Sequence, residues 1–345
     1  MEFRPLGRTG LKVSCLCLGT MTFGEQNSEA EAFAQLDLAT SHGINFIDTA
    51  ELYPIPPRPE TQGRTEEIIG KWLKKRGKRD DLIIATKVCG RADWIPHIRG
   101  GSGLDRQNIR AACEASLRRL QTDYIDLYQT HWPDRATNFF GRLGYEPVEG
   151  EEGAPIEETL EALTELVREG KVRHIGVSNE TPWGLHRYLC LAENLGYERV
   201  VSIQNPYNLL NRTFEIGLAE FSHREQVGLL AYSPLAFGVL TGKYLGRRRP
   251  TGARITLYPQ YTRYLTENGV KATEAYVQLA RRFGLDPAQM AIRWILDRPF
   301  VTSAIIGATN LDQLKTDIAS VDLKLPEPLL SEIEKVHRRY PNPCP

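Results

Sequence analysis

Four residues of this chain could share one proton relay: Asp48, Tyr53, Lys87 and His131. Each falls at or just after the end of a short apolar run, at 45–50, 82–87 or 125–131. A phenol beside an ammonium, with a carboxylate to hold the ammonium and an imidazole nearby, suits proton donation to a carbonyl oxygen. No second tyrosine has this company. Taken singly, each residue has a plainer explanation. A strand-end Asp or Lys is commonly a surface ion pair, and a histidine in such a run is commonly a hydrogen-bonded core residue.

The elements that would have to position these groups are legible as alternating periodicities. Eight strand-like runs occur at 16–20, 45–50, 82–87, 125–131, 174–178, 200–207, 227–234 and 301–307. Amphipathic segments lie between them. In 64–76, Ile68, Ile69, Trp72 and Leu73 make one stripe; in the next clear case Pro155 opens a helix, Leu160, Leu163, Leu166 and Val167 form its apolar face, and Gly170 closes it. Strand-then-helix alternation predicts parallel strands with crossover helices, and eight units in this length predict an α/β fold of the (β/α)8 TIM barrel type, as a single domain over 1–345. In such a barrel the strand C-termini converge on one face, where the four candidate groups would meet. Residues 3–13, with Gly7 and Gly10, predict a β-hairpin ahead of the barrel that could plug its bottom. Long connections at 52–63, 132–154 and 235–269 leave the same face and should build a pocket. Two extra helices are expected at 270–283 and 326–339, the second packing across the outside.

Composition narrows the partner. Lys+Arg and Asp+Glu are both 43, a formal charge of zero, so no global field recruits nucleic acid or an acidic membrane. Arg247, Arg248 and Arg249 form a short basic run without interleaved aromatics, which reads as solvated loop charge. The acidic stretch 146–158 reads as a solvated loop end. Six cysteines are spread without paired metal spacing, so no metal site and a reduced, cytoplasmic protein are expected. Cys15 and Cys17 should share one face of a strand, and Cys89 should be a packed thiol. No stretch approaches the roughly 20 apolar residues that span a bilayer. The expected partner is a small molecule, and oligomeric state is not readable.

The same residues carry a resemblance. The opening 4–14 with 18–21, the segment 43–53, Lys87, 127–133, 175–179, 204–207, 232–235 and 306–309 are similar, in order, to the motifs of the aldo-keto reductase superfamily. Within it, 131–145 and 252–254 resemble the bacterial Tas-type branch, relatives of potassium-channel β subunits.

The resemblance implies an NADPH-dependent oxidoreductase that reduces aldehydes or ketones to alcohols. Tyr53 would be the proton donor, Lys87 would lower its pKa, Asp48 would hold Lys87, and His131 would orient the carbonyl. No G-x-G-x-x-G follows a strand, so the cofactor, NADPH or NADP+, would lie across the barrel mouth rather than on a Rossmann domain. Ser178, Asn179 and Gln204 would hold the nicotinamide carboxamide and Tyr232 would stack on its ring, with Gly19, Thr20 and Met21 at the same end beside Asp48. Ser233, Pro234, Leu235, Gly238, Leu240, Gly242 and Lys243 would cover the pyrophosphate. Ile306, Gly307, Thr309 and Gln313 would form the adenosine-phosphate site, with Asp317 accepting from the adenine amine. Lys243 and Arg254 resemble the pair that grips the 2′-phosphate, although Gln313 stands where many relatives carry Arg, and Thr316 with Asp317 stand where they carry Glu-Asn. Taken without the resemblance, these glycines and serines read as ordinary strand-to-helix turn chemistry.

The substrate pocket is expected around Tyr53, Trp94, His131 and Trp132, with Phe139, Phe140 and Tyr145 on the same loops. Two other functions remain compatible: an NADPH-binding regulatory or redox-sensing subunit with slow turnover, and a Schiff-base aldolase using Lys87 as nucleophile.

Overall fold

The computed structural model describes residues 1–150 and 153–345. In chain order its elements are β1 (Phe3–Pro5), β2 (Lys12–Ser14), β3 (Leu16–Gly19), α1 (Glu29–Ser41), β4 (Phe46–Asp48), α2 (Arg64–Arg76), β5 (Ile83–Val88), α3 (Arg106–Leu120), β6 (Ile125–Thr130), α4 (Ile156–Arg168), β7 (Val172–Ser178), α5 (Pro182–Leu195), β8 (Val200–Pro206), α6 (Leu218–Glu225), β9 (Gly228–Tyr232), α7 (Arg254–Leu257), α8 (Glu267–Arg282), α9 (Pro287–Leu296), β10 (Val301–Ile306), α10 (Leu311–Ala319) and α11 (Glu327–Arg339). The eight apolar runs become the parallel strands β3 to β10. They close into a barrel in sequence order, β10 pairing back onto β3.

Strand parity decides what faces the inside. Cys17, Phe46, Ile83, Ala85, Leu127, Val201, Leu230 and Ile305 form one apolar cluster within the barrel. Successive side chains on a strand point to opposite faces, so the next inward positions toward the C-terminal end are two residues on. On β3, β4, β5, β6 and β9 those positions are Gly19, Asp48, Lys87, Gln129 and Tyr232, so a largely polar layer sits directly above the apolar one.

The β1–β2 hairpin pairs antiparallel, Phe3 opposite Ser14, and its Leu6 and Val13 join the interior cluster from below. It plugs the barrel bottom. Gly7 makes that fit possible: its φ is +56°, and a Cβ there would sit 2.7 Å from the Val201 carbonyl oxygen.

The helices start where side chains satisfy their free amides. Ser28 and Glu31 form a capping box on α1, Thr181 caps α5 ahead of Pro182, and Asn310 caps α10 by accepting from Gln313 N at 2.9 Å. α2 spans the expected residues and buries Ile68, Ile69, Trp72 and Leu73.

Four expectations need correction. The connection 235–269 is not open loop: it holds 3₁₀ turns at Ala236–Thr241 and Leu245–Arg247 as well as α7. Helix α8 begins at Glu267 rather than at 270, because Thr266 accepts from Gly269 N at 2.9 Å and so starts the helix. The acidic stretch is not all loop. Glu157 and Glu158 occupy the first turn of α4, where the positive end of the helix dipole favours carboxylates, while Glu151 and Glu152 lie outside the described residues. Cys15 and Cys17 do not share a face, since Cys15 precedes β3 and packs in the outer layer, whereas Cys17 points into the barrel. Helix α9, capped by Asp286, was not separately anticipated, and α11 packs against α8. Among the described residues no helix is long and apolar enough to cross a membrane.

Candidate active site

A cleft of about 1020 Å³ opens at the C-terminal ends of the strands. That is at the upper end of the range for small-molecule sites. Tyr53, Trp94, His131 and Trp132 line one end, and Lys243, Arg254, Gln313 and Asp317 line the other. Gly19, Thr20, Met21, Asp48, Ser178, Asn179, Gln204, Tyr232, Ser233, Pro234, Leu235, Gly238, Ile306, Gly307 and Thr309 form the floor and walls between them. Two expected residues are elsewhere. Leu240 is buried in the hydrophobic core, and Gly242 ends a 3₁₀ turn with its back to Val277.

At the first end the polar layer of the barrel is wired together. Lys87 Nζ donates to Asp48 Oδ2 at 2.6 Å and to the Thr49 carbonyl at 2.8 Å. Asp48 Oδ1 accepts from Gln204 Nε2 at 2.8 Å and from Gln129 Nε2 at 3.3 Å. Lys87 is 0 % exposed and lies behind the cleft wall, its Nζ 4.9 Å from the centroid of the Tyr53 ring. Burial works to neutralise Lys87, but Asp48 and Tyr53 more than offset it and hold its pKa above the ordinary lysine value. Gln129 was quoted in a motif but given no role. Its parity with Leu127, which lies two residues before it and points into the barrel, is the signal by which it could have been found.

Tyr53 departs from expectation. Burial pushes its phenol above the ordinary value, with Lys87 pulling down against it and Asp48 adding to the rise, so the net direction is up rather than down. His131 is driven the other way: burial first, and then the nearby Lys87 cation, hold its pKa well below the usual histidine range. It is therefore neutral at physiological pH. Among the described residues its Nδ1 has no hydrogen-bond partner, while its carbonyl accepts from Asn179 Nδ2 at 2.9 Å.

The cleft middle is prearranged by short contacts. Ser178 Oγ donates to the Gln204 carbonyl at 2.7 Å, and Tyr232 Oη donates to Asn179 Oδ1 at 2.6 Å. Toward the far end the pattern changes. Arg254 stacks at 4.0 Å on the Phe237 ring and at 5.0 Å on the Tyr261 ring, and it has no ion pair with any described residue. Burial lowers the pKa of both Arg254 and Lys243. Phe237, Tyr261 and Arg263 line the cleft but were not anticipated, since they sit in a connection with no strand or helix period to read.

Aromatic rings cover the Tyr53 end. Trp94 and Trp132 have centroids 5.5 Å apart, Trp132 and Phe140 5.7 Å, and His131 lies 4.8 Å from Trp132. Trp94 is 54 % exposed toward the opening, whereas Tyr145, expected nearby, is 64 % exposed and not part of the cleft wall. Cys89 is fully buried and packs there with Leu52, Ile95, Ile98 and Trp132. Among the described residues no group of His, Cys, Asp or Glu is arranged to hold a metal ion.

Comparison with known proteins decides the family, because the sequence model of the Aldo/keto reductase family matches residues 15–338. The chain belongs to that family. Membership makes this barrel an oxidoreductase. Over its full length the chain is similar to "Protein tas" of Escherichia coli (strain K12), with 57% identity over 346 residues and 100% of both chains covered. It is 36% identical to "Uncharacterized oxidoreductase YrpG" of Bacillus subtilis (strain 168), over 99% of this chain and 97% of that one. It is 32% identical to a "Probable voltage-gated potassium channel subunit beta" of Arabidopsis thaliana, over 99% of this chain and 98% of the other.

Proposed function

We propose that this chain is an NADPH-dependent reductase of aldehydes or ketones. The observation that carries the reading is the buried Lys87–Asp48 pair set against the ring of Tyr53, with a neutral His131 alongside. Tyr53 keeps its proton at neutral pH because burial raises its pKa, and it releases that proton to a carbonyl oxygen as negative charge grows there. Lys87 stabilises the phenolate left behind, and Asp48 keeps Lys87 charged and aimed. His131 is neutral, so it contributes a hydrogen bond from one ring nitrogen rather than a proton, which selects Tyr53 as the acid. When bound, the cofactor supplies the hydride.

The cleft suits that cofactor. Arg254 is a partly exposed guanidinium with no carboxylate partner among the described residues, and Lys243 lines the same space, a pair that matches the 2′-phosphate of NADPH better than a plain ribose. Ser178, Asn179 and Gln204 stand where a nicotinamide carboxamide would be held, with Tyr232 beneath the ring. Trp94, Trp132 and Phe140 would shield a carbonyl substrate from water. Six free thiols suit the reducing cytoplasm in which such a cofactor is maintained.

A Schiff-base role for Lys87 fits poorly, because the amine is ion-paired, charged and out of reach of the cleft. The regulatory alternative rests on the similarity to a relative named as a probable channel subunit β. One experiment separates the readings: single-turnover reaction of NADPH deuterated at the transferring position with a panel of aldehydes and ketones. Deuterium in the product alcohol at ordinary enzymatic rates supports the reductase, while tight NADPH binding without transfer supports the regulatory subunit.

A further inference from the structure

Asp317 is the group in the cleft that none of the roles above uses as an acid. It lies on α10, lines the far end of the cleft and is 3 % exposed, yet no described residue donates a hydrogen bond to its carboxyl oxygens. Asp286, at the start of α9, and Lys243, in the connection after β9, line the same cleft and act on Asp317 through their charges. Asp286 accepts from Ala288 N at 2.8 Å and from Gln289 N at 3.1 Å. On its own helix, Asp312 and Lys315 pair with each other in solvent at 3.9 Å. Two further elements pack on α10. On α1, Glu29 is paired with Lys71, Glu31 with the Ser28 cap and Asp37 with Trp72 Nε1; in the turn Ser320–Asp322, Asp322 is exposed.

A desolvated carboxyl with no donors, under the charge of a second carboxylate, is held most cheaply without charge. Burial and then Asp286 push its pKa from 3.8 up to about 8, with Lys243 pulling the other way. A neutral carboxyl offers what a carboxylate does not: one O–H donor beside one carbonyl acceptor in a single plane. The ligand group that completes such a pair carries an exocyclic amine next to a ring nitrogen.

We propose that Asp317 binds the adenine of the cofactor as a neutral carboxylic acid, its hydroxyl donating to a ring nitrogen while its carbonyl oxygen accepts from the exocyclic amine. This rests on the cofactor reading above and goes beyond it, because an ionised Asp317 would accept from the amine but set its second oxygen against a ring lone pair. Cofactor affinity is then linked to one proton. Below about pH 8 the proton is already on Asp317; above it, binding must take a proton up, and affinity falls by up to about tenfold per pH unit.

The test is fluorescence titration of NADH and NADPH between about pH 7 and about pH 9.5, on the wild type, Asp317→Asn and Asp317→Ala. NADH is the cleaner probe, since it lacks the 2′-phosphate and does not report loss of charge on Lys243. The expected result is that wild-type affinity for both cofactors declines above about pH 8. Asp317→Asn, whose amide keeps a donor beside an acceptor, should bind NADH as the wild type does near pH 7 and stay level at higher pH. Asp317→Ala should bind about tenfold more weakly near pH 7, on the scale of one lost buried hydrogen-bonding partner. A pH decline confined to NADPH would place the proton on the 2′-phosphate contact and overturn the proposal. So would an unchanged NADH profile in Asp317→Asn, or no pH dependence in the wild type. Binding of neither cofactor would remove the cofactor reading and this proposal together, whereas pH-independent binding of both removes this one alone.

Discussion

The two ends of the cleft are built on opposite principles. At the Tyr53 end, Asp48, Lys87, Gln129 and Gln204 satisfy one another through bonds of 2.6 to 3.3 Å, so this polar layer is complete without any ligand. At the Asp317 end, Asp317 is buried, Arg254 and Lys243 are partly exposed to the cleft, and all three lack hydrogen-bonded charge partners among the described residues. A closed network holds a geometry; an open one waits for charge. The difference predicts that substitutions at the first end damage chemistry and folding, while those at the second damage ligand affinity and leave the fold intact or steadier.

The largest effect should come from Tyr53→Phe, which keeps the ring and removes the transferable proton. Single-turnover hydride transfer should fall by at least about 10²–10⁴-fold, with NADPH affinity unchanged. A near-normal rate would transfer the acid role away from Tyr53 and break the contrast at its stronger end.

Lys87→Met tests whether the closed network is structural as well as catalytic. It leaves Asp48 buried without its cation, and removing one partner of a buried pair costs about 3–5 kcal/mol. A large fall in Tm at neutral pH is expected alongside lost activity. The sign follows from linkage: the pair raises the Lys87 pKa above its ordinary 10.5, so its stabilisation is fully present below that value and is lost only as pH rises further. The wild-type minus variant Tm difference should therefore shrink only in strong alkali.

Arg254→Ala probes the open end. NADPH binding should weaken by about 1–3 kcal/mol, the scale of a charge-assisted contact, with NADH affinity and Tm nearly unchanged. Equal losses for both cofactors would show that Arg254 supports its loop through Phe237 and Tyr261 rather than meeting a phosphate.

The smallest and most selective effect concerns Asp317 in the cofactor-free protein. Its folded pKa, about 8, lies above the unfolded 3.8, so the folded state binds the extra proton and loses stability as pH rises between those values. Asp317→Asn should therefore gain Tm relative to the wild type from acid to mildly alkaline pH, and the gain should level off above about pH 8. A constant offset would mean that Asp317 is ionised throughout.

The amino-acid sequence by itself determined the eight parallel strands, the hairpin ahead of the barrel, and the meeting of Asp48, Tyr53, Lys87 and His131, because strand and helix periodicities are local properties and the ends of parallel barrel strands converge on one face. It also marked helix α2 to the residue, since a stripe of Ile68, Ile69, Trp72 and Leu73 between glycines leaves little freedom. Only the tertiary structure decided the direction of the Tyr53 and His131 shifts, the anchoring of Asp48 by Gln129 and Gln204, the start of α8 at Thr266 and the upward shift of Asp317. Those depend on how much water is excluded and which charges face each other across elements far apart in the chain. Desolvation and Coulomb energy are set by packing, and no window of sequence contains them.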